Sequence, residues 1–273
     1  MNIVKLNNIS IANNLPMVLI AGPCVLESRE HAMMMVENLL KITQKLGVQL
    51  IYKSSFDKAN RTSVNAVRGL DFKEAMQIFA DIKTKYNVPI ITDVHEASQC
   101  ESVAEIVDVL QIPAFLCRQT DLLLAAGKTN KVINVKKGQF LAPWDMQNVA
   151  KKISSTGNNN ILLCERGTSF GYNNLIVDIT GLPVMKQTGY PVIIDATHSV
   201  QKPGGLGDKT GGNREMAPVI AKAALTVGIA GVFAEVHNNP DASPSDAANI
   251  LHLSTFENTL AQWLAVDKLA KSW

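Results

Sequence analysis

The sequence predicts an α/β fold, a single (β/α)8 TIM barrel spanning residues 1–273, with an N-terminal β-hairpin over residues 1–14. Eight short runs rich in β-branched residues alternate with segments of helical periodicity, and each run begins with apolar residues. The length of 273 residues is also close to the roughly 250 residues of typical α/β barrels. One barrel, rather than two domains, therefore explains the pattern.

The eight runs have the length and composition of buried strands, and most of them end in polar or charged residues. A parallel strand that is buried on both faces has a near-continuous apolar sequence, so the runs are typical of barrel strands. They occupy residues 17–24, 50–56, 89–95, 109–114, 131–139, 161–166, 191–198 and 231–237.

The segments between these runs have the periodicity of helices. SREHAMMMVENLLKITQKLG (28–47) and MAPVIAKAALTVG (216–228), for example, place apolar residues at i, i+3, i+4 and i+7. Before the first run, IVKLNNISIANN (3–14) alternates with period two around a central Asn-Asn pair. That alternation predicts a β-hairpin that caps one end of the barrel.

Composition argues against several classes of protein. The formal net charge is +2, which gives no indication of a nucleic-acid partner or a membrane surface. No apolar run reaches the roughly 18 residues of a membrane span, and the N-terminus is too polar for a signal peptide. The four cysteines are too far apart for a zinc knuckle or a CxxC motif. We therefore expect a soluble cytoplasmic protein with reduced thiols.

The stretch QKPGGLGDKTGGN (201–213) contains five glycines and one proline, which oppose regular structure. It follows the seventh predicted strand, so it belongs to the face of the barrel that carries active sites. Glycine-rich loops of this length in compact domains are more often functional than mere connections. We therefore expect a lid over the site.

Cationic side chains follow three of the predicted strands. Lys53 and Lys58 belong to the second strand, Lys136 to the fifth and Arg166 to the sixth. One lysine at a strand end is an ordinary solvated residue. Four cations that converge at one barrel mouth, in a nearly neutral protein, indicate a site for a multiply charged anion such as a carboxylate that also bears a phosphate.

A thiol, an imidazole and carboxylates follow the first, seventh and eighth strands. These are Cys24, His198 and Glu235, with Asp246 beyond the last strand. Such donors suit a divalent metal ion. A lone cysteine at a strand end is more often a small core residue, and spacing does not decide the question, because the donors come from different strands. From the residues alone both interpretations stay open.

At these positions the sequence resembles the 3-deoxy-D-manno-octulosonate 8-phosphate synthases (KDO-8-phosphate synthases), along essentially its whole length. The KANR and THSVQKPGG elements are the most specific. The matching segments are IAGPCVLES (20–28), YKSSFDKANRTS (52–63), ITDVHE (91–96), QIPAFLCRQTDLL (111–123), NVKKGQF (134–140), CERGTSFGY (164–172) and DATHSVQKPGGLGDKTGG (195–212).

The resemblance implies a condensation of phosphoenolpyruvate with D-arabinose 5-phosphate and water, which gives KDO 8-phosphate and inorganic phosphate for lipopolysaccharide precursors. It also implies a homotetramer in which a neighbouring subunit reaches the sugar phosphate. The implied catalytic residues are Lys136, His198, Asp93 and Asn60. The implied substrate-binding residues are Lys53, Lys58, Arg61, Thr62, His95, Gln111, Gln139 and Arg166.

Within this set, the resemblance divides the residues between the two substrates. Asn60, Arg61 and Thr62 correspond to the sugar-phosphate site, with Asp93 and His95 near the sugar. Thr62 stands where serine is common and keeps the hydroxyl. The residues that correspond to the phosphoenolpyruvate site are Lys53, Lys58, Gln111, Lys136 and Arg166.

The same family divides into a metal-dependent class and a metal-independent class, which carry Cys and Asn, respectively, at the position of Cys24. Cys24 and ASPSDAA (242–248) resemble the metal-dependent class. The resemblance thus implies that Cys24, His198, Glu235 and Asp246 hold a divalent ion such as Zn²⁺, Fe²⁺ or Mn²⁺.

Three alternatives stand beside this interpretation. The related synthase of the aromatic pathway uses erythrose 4-phosphate and typically reads KPRTS where this chain has KANRTS. A Schiff-base aldolase would use Lys53 or Lys136 as its nucleophile, and borohydride would trap the adduct. A non-catalytic barrel would have no need for every polar strand-end residue.

Overall fold

The computed structural model of the chain describes residues 2–61, 63–204 and 211–273. In this part of the chain, eight parallel strands form a barrel that closes because the seventh strand pairs with both the sixth and the eighth. The strands are β1 (Val18–Gly22), β2 (Leu50–Lys53), β3 (Ile90–Asp93), β4 (Val109–Ile112), β5 (Val132–Lys136), β6 (Ile161–Glu165), β7 (Val192–Asp195) and β8 (Gly231–His237). The predicted (β/α)8 barrel is confirmed.

A helix follows each strand and packs one apolar face against the barrel. The helices are α1 (Arg29–Leu46), α2 (Phe72–Tyr86), α3 (Gln99–Ile106), α4 (Thr120–Lys128), α5 (Met146–Ser154), α6 (Gly181–Lys186), α7 (Ala217–Leu225) and α8 (Leu253–Ala270).

The sequence of α1 shows why this helix begins and ends where it does. Ser28 caps the first turn by accepting a hydrogen bond from the His31 N–H. Gly47, with φ of 69°, ends this helix in the left-handed region. The buried side chains of α1 recur with helical spacing, at Ala32, Met35, Val36, Leu39 and Thr43.

An antiparallel hairpin precedes the barrel and pairs Val4–Leu6 with Ile9–Ile11. Its inward side chains pack in one cluster with side chains from inside the barrel, including Val109 and Val132. Because these two valines are the first residues of β4 and β5, the hairpin closes the N-terminal end of the barrel. The predicted hairpin cap is therefore present.

Some strands are shorter than their predicted runs. β2 ends at Lys53 and β5 ends at Lys136, although the predicted runs continue to residues 56 and 139. The chain leaves the sheet at these points, and residues such as Gln139 then face a cavity at the barrel mouth. Residue type does not mark where strand pairing stops, so sequence alone overestimates these strands.

Short elements decorate the C-terminal end of the barrel. Thr168–Ser169 pairs with Leu175–Ile176, Gln201–Lys202 pairs with Gly211–Gly212, and Leu251–His252 pairs in parallel with the end of β8. Single turns of 3₁₀ helix occupy Ala114–Leu116, Pro143–Asp145, His198–Val200, Arg214–Met216 and Pro240–Ala242. Residues 205–210 of the predicted lid lie outside the described residues, so the lid stays a prediction.

Among the helices that the structure describes, none combines the length and the apolar character that crossing a bilayer requires.

Candidate active site

A cavity of about 670 Å³ opens at the C-terminal ends of the barrel strands, in the size range of ligand sites. The predicted residues that line it are Lys53, Lys58, Asn60, Arg61, Asp93, His95, Gln111, Lys136, Gln139, Arg166, His198 and Asp246. Cys24 and Glu235 are fully buried next to them. Thr62 lies outside the described residues. All predicted site residues that the structure describes therefore lie together at one end of the barrel.

The first two strands approach each other closely at Gly22. A Cβ atom there would lie 1.9 Å from the carbonyl oxygen of Lys53, so the backbone contact requires glycine. The approach places Cys24 beside the second strand, where Lys53 Nζ donates a hydrogen bond to the Cys24 carbonyl oxygen at 2.8 Å. Gly22 therefore brings a residue of the predicted metal set next to the predicted anion site.

Glu235 joins these two groups of residues electrostatically. Its Oε1 accepts a hydrogen bond from Lys53 Nζ at 2.8 Å and lies 3.9 Å from Lys58 Nζ. Burial alone would raise the pKa of Glu235, but Lys53, His198 and Lys58 outweigh burial and hold this pKa well below its ordinary value. Glu235 is therefore an ionised carboxylate at the floor of the cavity.

Lys136 is the central cation of the mouth. Its Nζ donates a hydrogen bond to Asp195, lies 3.4 Å from His198 Nδ1, and stands 3.9 Å from the ring centroid of Phe233. Burial would raise the pKa of Asp195, but His198 and Lys136 overcome that effect and lower it. The ammonium group is thus held in place by a buried anion while its side chain lines the cavity.

The guanidinium group of Arg166 is only partly satisfied by hydrogen bonds. Its side chain is 5% exposed, and its Nη2 donates to Gln201 Oε1 at 2.6 Å. Nη1 of Arg166 and Oε1 of Gln139 are buried without a hydrogen-bond partner, although both residues line the cavity. A buried guanidinium N–H without a partner costs free energy, which an anionic ligand in the cavity would recover.

A buried network supports the opposite wall of the cavity. Asp93 accepts hydrogen bonds from Ser55 and Gln111, and Asn134 Nδ2 donates to Gln111 Oε1 at 2.8 Å. Burial would raise the pKa of Asp93, but nearby lysines, Lys53 foremost, lower it. The network fixes the Asp93 carboxylate at the cavity surface, where it can accept hydrogen bonds from ligand hydroxyls.

The outer part of the cavity holds Asn60 and Arg61 of the KANR element. Arg61 donates to Ser245 Oγ at 2.7 Å and to the carbonyl oxygen of Pro244, in the loop after β8. Asn60 and His95 face the same space, and His95 Nδ1 is buried without a partner. Burial lowers the pKa of His95. These side chains leave polar atoms open toward a second ligand beyond the inner cations.

The four predicted metal ligands form one cluster. Donor atoms of Cys24, Glu235 and Asp246 all lie within 4.8 Å of one another, and Cys24 Sγ is 3.4 Å from Asp246 Oδ2. His198 Nε2 lies 3.6 Å from Glu235 Oε1 and 3.9 Å from Asp246 Oδ2. Glu235 Oε2 is buried without a hydrogen-bond partner. Thiol, imidazole and carboxylate donors with an unpartnered buried oxygen are a set that fits a divalent cation.

Asp195 and Gln201 are among the residues of the site that were not predicted from the sequence. Asp195 contacts both Lys136 and His198, and Gln201 bridges Arg166 to Asp246 through hydrogen bonds of 2.6 and 2.9 Å. Asp195 ends β7 and precedes His198 by three residues, so the polar end of that run was a usable signal. Gln201 lies in the THSVQKPGG element, but its contacts with Arg166 and Asp246 depend on how the chain folds after β7.

Comparisons with known proteins find similarity along the whole chain. The family model described as the DAHP synthetase I family matches residues 1–272. Among the similar curated proteins, the 2-dehydro-3-deoxyphosphooctonate aldolase of Rickettsia canadensis is 56% identical over 98% of this chain and 98% of its own length. Proteins of the same name from Bartonella henselae (55% identity, 98% of this chain, 96% of the relative) and Granulibacter bethesdensis (56%, 99% and 96%) are equally similar.

Proposed function

This chain belongs to the DAHP synthetase I family, and from that premise we infer that it makes KDO 8-phosphate. The reaction condenses phosphoenolpyruvate with D-arabinose 5-phosphate and water, and it releases inorganic phosphate. One observation carries the inference: inner cations and the outer KANR residues line a single cavity, which suits two phosphorylated substrates in one site.

Carbon balance separates this reaction from that of the aromatic-pathway synthase. The relatives are named for a phosphooctonate, an eight-carbon product, which phosphoenolpyruvate and a pentose phosphate supply together. Erythrose 4-phosphate would give a seven-carbon product. The family description alone covers both reactions, so the relatives and the KANRTS segment favour the pentose.

The bonding changes define what the site must do. C3 of phosphoenolpyruvate forms a bond to C1 of the sugar aldehyde, whose oxygen takes up a proton and becomes a hydroxyl. Water adds at C2 of the phosphoenolpyruvate moiety, where positive charge develops, and the added water loses a proton. The resulting hemiketal phosphate then releases inorganic phosphate by cleavage of its C–O bond.

The side chains at the inner mouth suit these demands. Lys136 and Arg166 hold the phosphate and carboxylate of phosphoenolpyruvate, and Lys53 and Lys58 offset the repulsion between the two anionic substrates. Their positions are fixed before the substrates arrive, so little reorganisation accompanies the reaction. Asp93, held by its buried network, orients a hydroxyl of the sugar.

The chain's own donors also support a metal-dependent enzyme. Cys24, His198, Glu235 and Asp246 would hold a divalent ion such as Zn²⁺, Fe²⁺ or Mn²⁺. When bound, such an ion supplies Lewis acidity beside the sugar aldehyde. The unpartnered Glu235 oxygen and the convergence of four donors support this part of the proposal.

A homotetramer in the cytoplasm, where phosphoenolpyruvate is formed, completes the proposal. Aromatic side chains in the loops after β4, β5 and β6 are 55–97% exposed, and a monomer rarely exposes so many on neighbouring loops. They are Phe115, Phe140, Trp144, Phe170 and Tyr172. Light scattering should give four times the 29.6 kDa of one chain. A monomeric mass would contradict this part.

An assay with both sugars tests the function. Purified protein is supplied with phosphoenolpyruvate and either D-arabinose 5-phosphate or erythrose 4-phosphate, and phosphate release and product mass are measured. We expect the octulosonate product from the pentose and much slower turnover with the tetrose. Borohydride added during turnover should leave no covalent adduct on Lys53 or Lys136. A trapped lysine would support the Schiff-base aldolase instead.

A further inference from the structure

Lys137 is buried behind the wall of the cavity that its neighbour Lys136 lines. Its side chain is 1% exposed, and its Nζ donates to the carbonyl oxygens of Gly138 and Leu141 at 3.1 Å each. The same Nζ donates to Thr168 Oγ1 at 3.0 Å. One ammonium group therefore ties the loop after β5 to the loop after β6.

Glu165 lies on the other side of this connection and is 2% exposed. Its Oε1 accepts the backbone N–H groups of Arg166 at 2.8 Å and Gly167 at 2.6 Å, while its Oε2 lies 3.6 Å from Lys137 Nζ. Burial raises the pKa of Glu165, and Lys137 and the two N–H groups oppose that rise. The Glu165 carboxyl group therefore holds the backbone of the turn that contains Arg166 and Gly167.

The two side chains act on loops that carry predicted substrate contacts. Arg166 directly follows Glu165, and Gln139 lies two residues beyond Lys137. The loops also meet through the backbone, where the Ser169 N–H donates to the Gln139 carbonyl oxygen at 3.0 Å. Gly167, directly after Arg166, has a positive φ of 89°, a backbone conformation that residues other than glycine rarely adopt.

A buried charge pair is a poor source of stability by itself, because removing both groups from water costs about as much as their attraction returns. Pairs of this kind are better suited to fixing one geometry among several, and here that geometry includes the direction of the Arg166 side chain. Arg166 has an unpartnered Nη1 beside the cavity, so a small rotation changes its alignment with an anion.

We propose that Lys137 and Glu165 are positioning residues that lock the loops after β5 and β6 and so aim Arg166 at the phosphoenolpyruvate anion. The inference rests on the proposed function, since it assigns Arg166 to that substrate. Neither Lys137 nor Glu165 is among the residues that line the cavity. Their effect is specific for one of the two substrates.

Three variants and one matched control test this role. Lys137→Met and Glu165→Gln each remove one charge with little change in volume, and Thr168→Val removes only the hydroxyl that Lys137 contacts. The control, Lys83→Met, deletes a lysine that pairs with Asp108 at 2.9 Å, near the start of β4 and far from the cavity. All four proteins are compared by their melting temperature, by KM for each substrate, by kcat, and by calorimetric titration with phosphoenolpyruvate.

We expect Lys137→Met and Glu165→Gln to raise KM and Kd for phosphoenolpyruvate about tenfold, since a misplaced contact weakens uniform binding. Values of kcat and of KM for the sugar phosphate should stay within about twofold, as should every constant of Lys83→Met. Combining Lys137→Met with Arg166→Lys should raise KM little beyond Arg166→Lys alone, because the contact that Lys137 positions is already lost.

Unchanged phosphoenolpyruvate affinity in a folded variant, an equal rise in both KM values, or full additivity with Arg166→Lys would overturn the proposal. If the two charge variants do not fold, Thr168→Val decides: we expect a rise of about threefold, and no rise refutes the role. Because the titration needs no turnover, it separates this inference from the proposed function. An inactive wild type that binds phosphoenolpyruvate would refute only the reaction.

Discussion

Asp195 Oδ2 lies 2.7 Å from His198 Nδ1, on the side of the imidazole away from Glu235. The contact orients the ring so that Nε2 faces Glu235 and Asp246, at 3.6 and 3.9 Å. Asp195 also accepts a hydrogen bond from Lys136. One buried carboxylate therefore sets the orientation of a proposed metal ligand and of a proposed substrate ligand.

Asp195→Asn should impair both partners at once. An amide carries no charge and can turn its NH₂ toward the ring, so His198 loses the carboxylate that orients it, and Lys136 loses its counter-charge. We expect metal affinity to fall about 10–100-fold, the range found when a residue that orients a metal ligand is changed. Competition with a chelator of known affinity measures this change, and steady-state kinetics should show a matching fall in kcat.

Asp178→Asn is the matched control for that experiment. Asp178 is an exposed residue that caps a turn by accepting hydrogen bonds from Thr180. We expect this variant to bind metal and turn over like wild type. Equal metal affinity in Asp195→Asn and in the control would show that Asp195 does not orient His198.

Lys136→Met should strongly reduce kcat/KM for phosphoenolpyruvate. The substitution removes a cation that lines the cavity and leaves Asp195 buried with His198 as its main partner. A hydrogen bond to a charged group contributes about 1.5–3 kcal/mol, so the loss should be at least about tenfold. Lys131→Met, at the opposite end of the same strand, is the control and should keep wild-type kinetics. Near wild-type kcat/KM in Lys136→Met would remove this residue from the site.

The N-terminal hairpin should contribute stability without affecting substrate binding. Ile11 is fully buried in the cluster that closes the bottom of the barrel, whereas Ile3 of the same segment is 55% exposed. Ile11→Ala should lower the free energy of unfolding by about 2–5 kcal/mol, because it leaves a cavity. Ile3→Ala should change it by less than about 0.5 kcal/mol. Denaturant titration measures both, and equal effects would mean that the hairpin does not pack as described.

The barrel was predictable because its signals are local. Each strand and each helix shows its own periodicity, and the hairpin shows the alternation that buries Ile9 and Ile11. Strand ends were less predictable, since the predicted run extends to residue 139 whereas the strand ends at Lys136. Pairing partners, not residue types, decide where a strand stops.

The site was predictable to the extent that strand ends meet at one mouth. That rule brought together Lys53, Lys136 and Arg166, because each belongs to the end of its own strand. It gave no information about pairings between side chains. The contact of Lys53 with Glu235 joins β2 to β8, and that of Lys137 with Glu165 joins the loop after β5 to the end of β6; only the fold reveals these pairings.

Cys24 decides between a metal-dependent enzyme and a metal-free one. A thiolate is a strong ligand, so its loss should cost far more than one hydrogen bond. Chelation of the wild type should therefore abolish activity, and a divalent ion should restore it. Cys24→Ala should bind metal poorly and turn over poorly, as measured by metal analysis of the purified protein and by the two-substrate assay.

Cys24→Asn is the sharper variant, because the amide keeps a polar group where the thiol meets Asp246 at 3.4 Å. An amide can hold a water molecule or a sugar hydroxyl without a metal. We expect Cys24→Asn to retain measurable activity that chelators do not affect, below the wild-type rate because His198 and Glu235 keep the arrangement that would hold an ion. Cys100→Ala is the control, since Cys100 is buried in α3, away from the cavity, and this variant should stay sensitive to chelators. If Cys24 only packs, the wild type works without metal and Cys24→Ala is almost silent, which would refute the metal site and leave the synthase reaction in place.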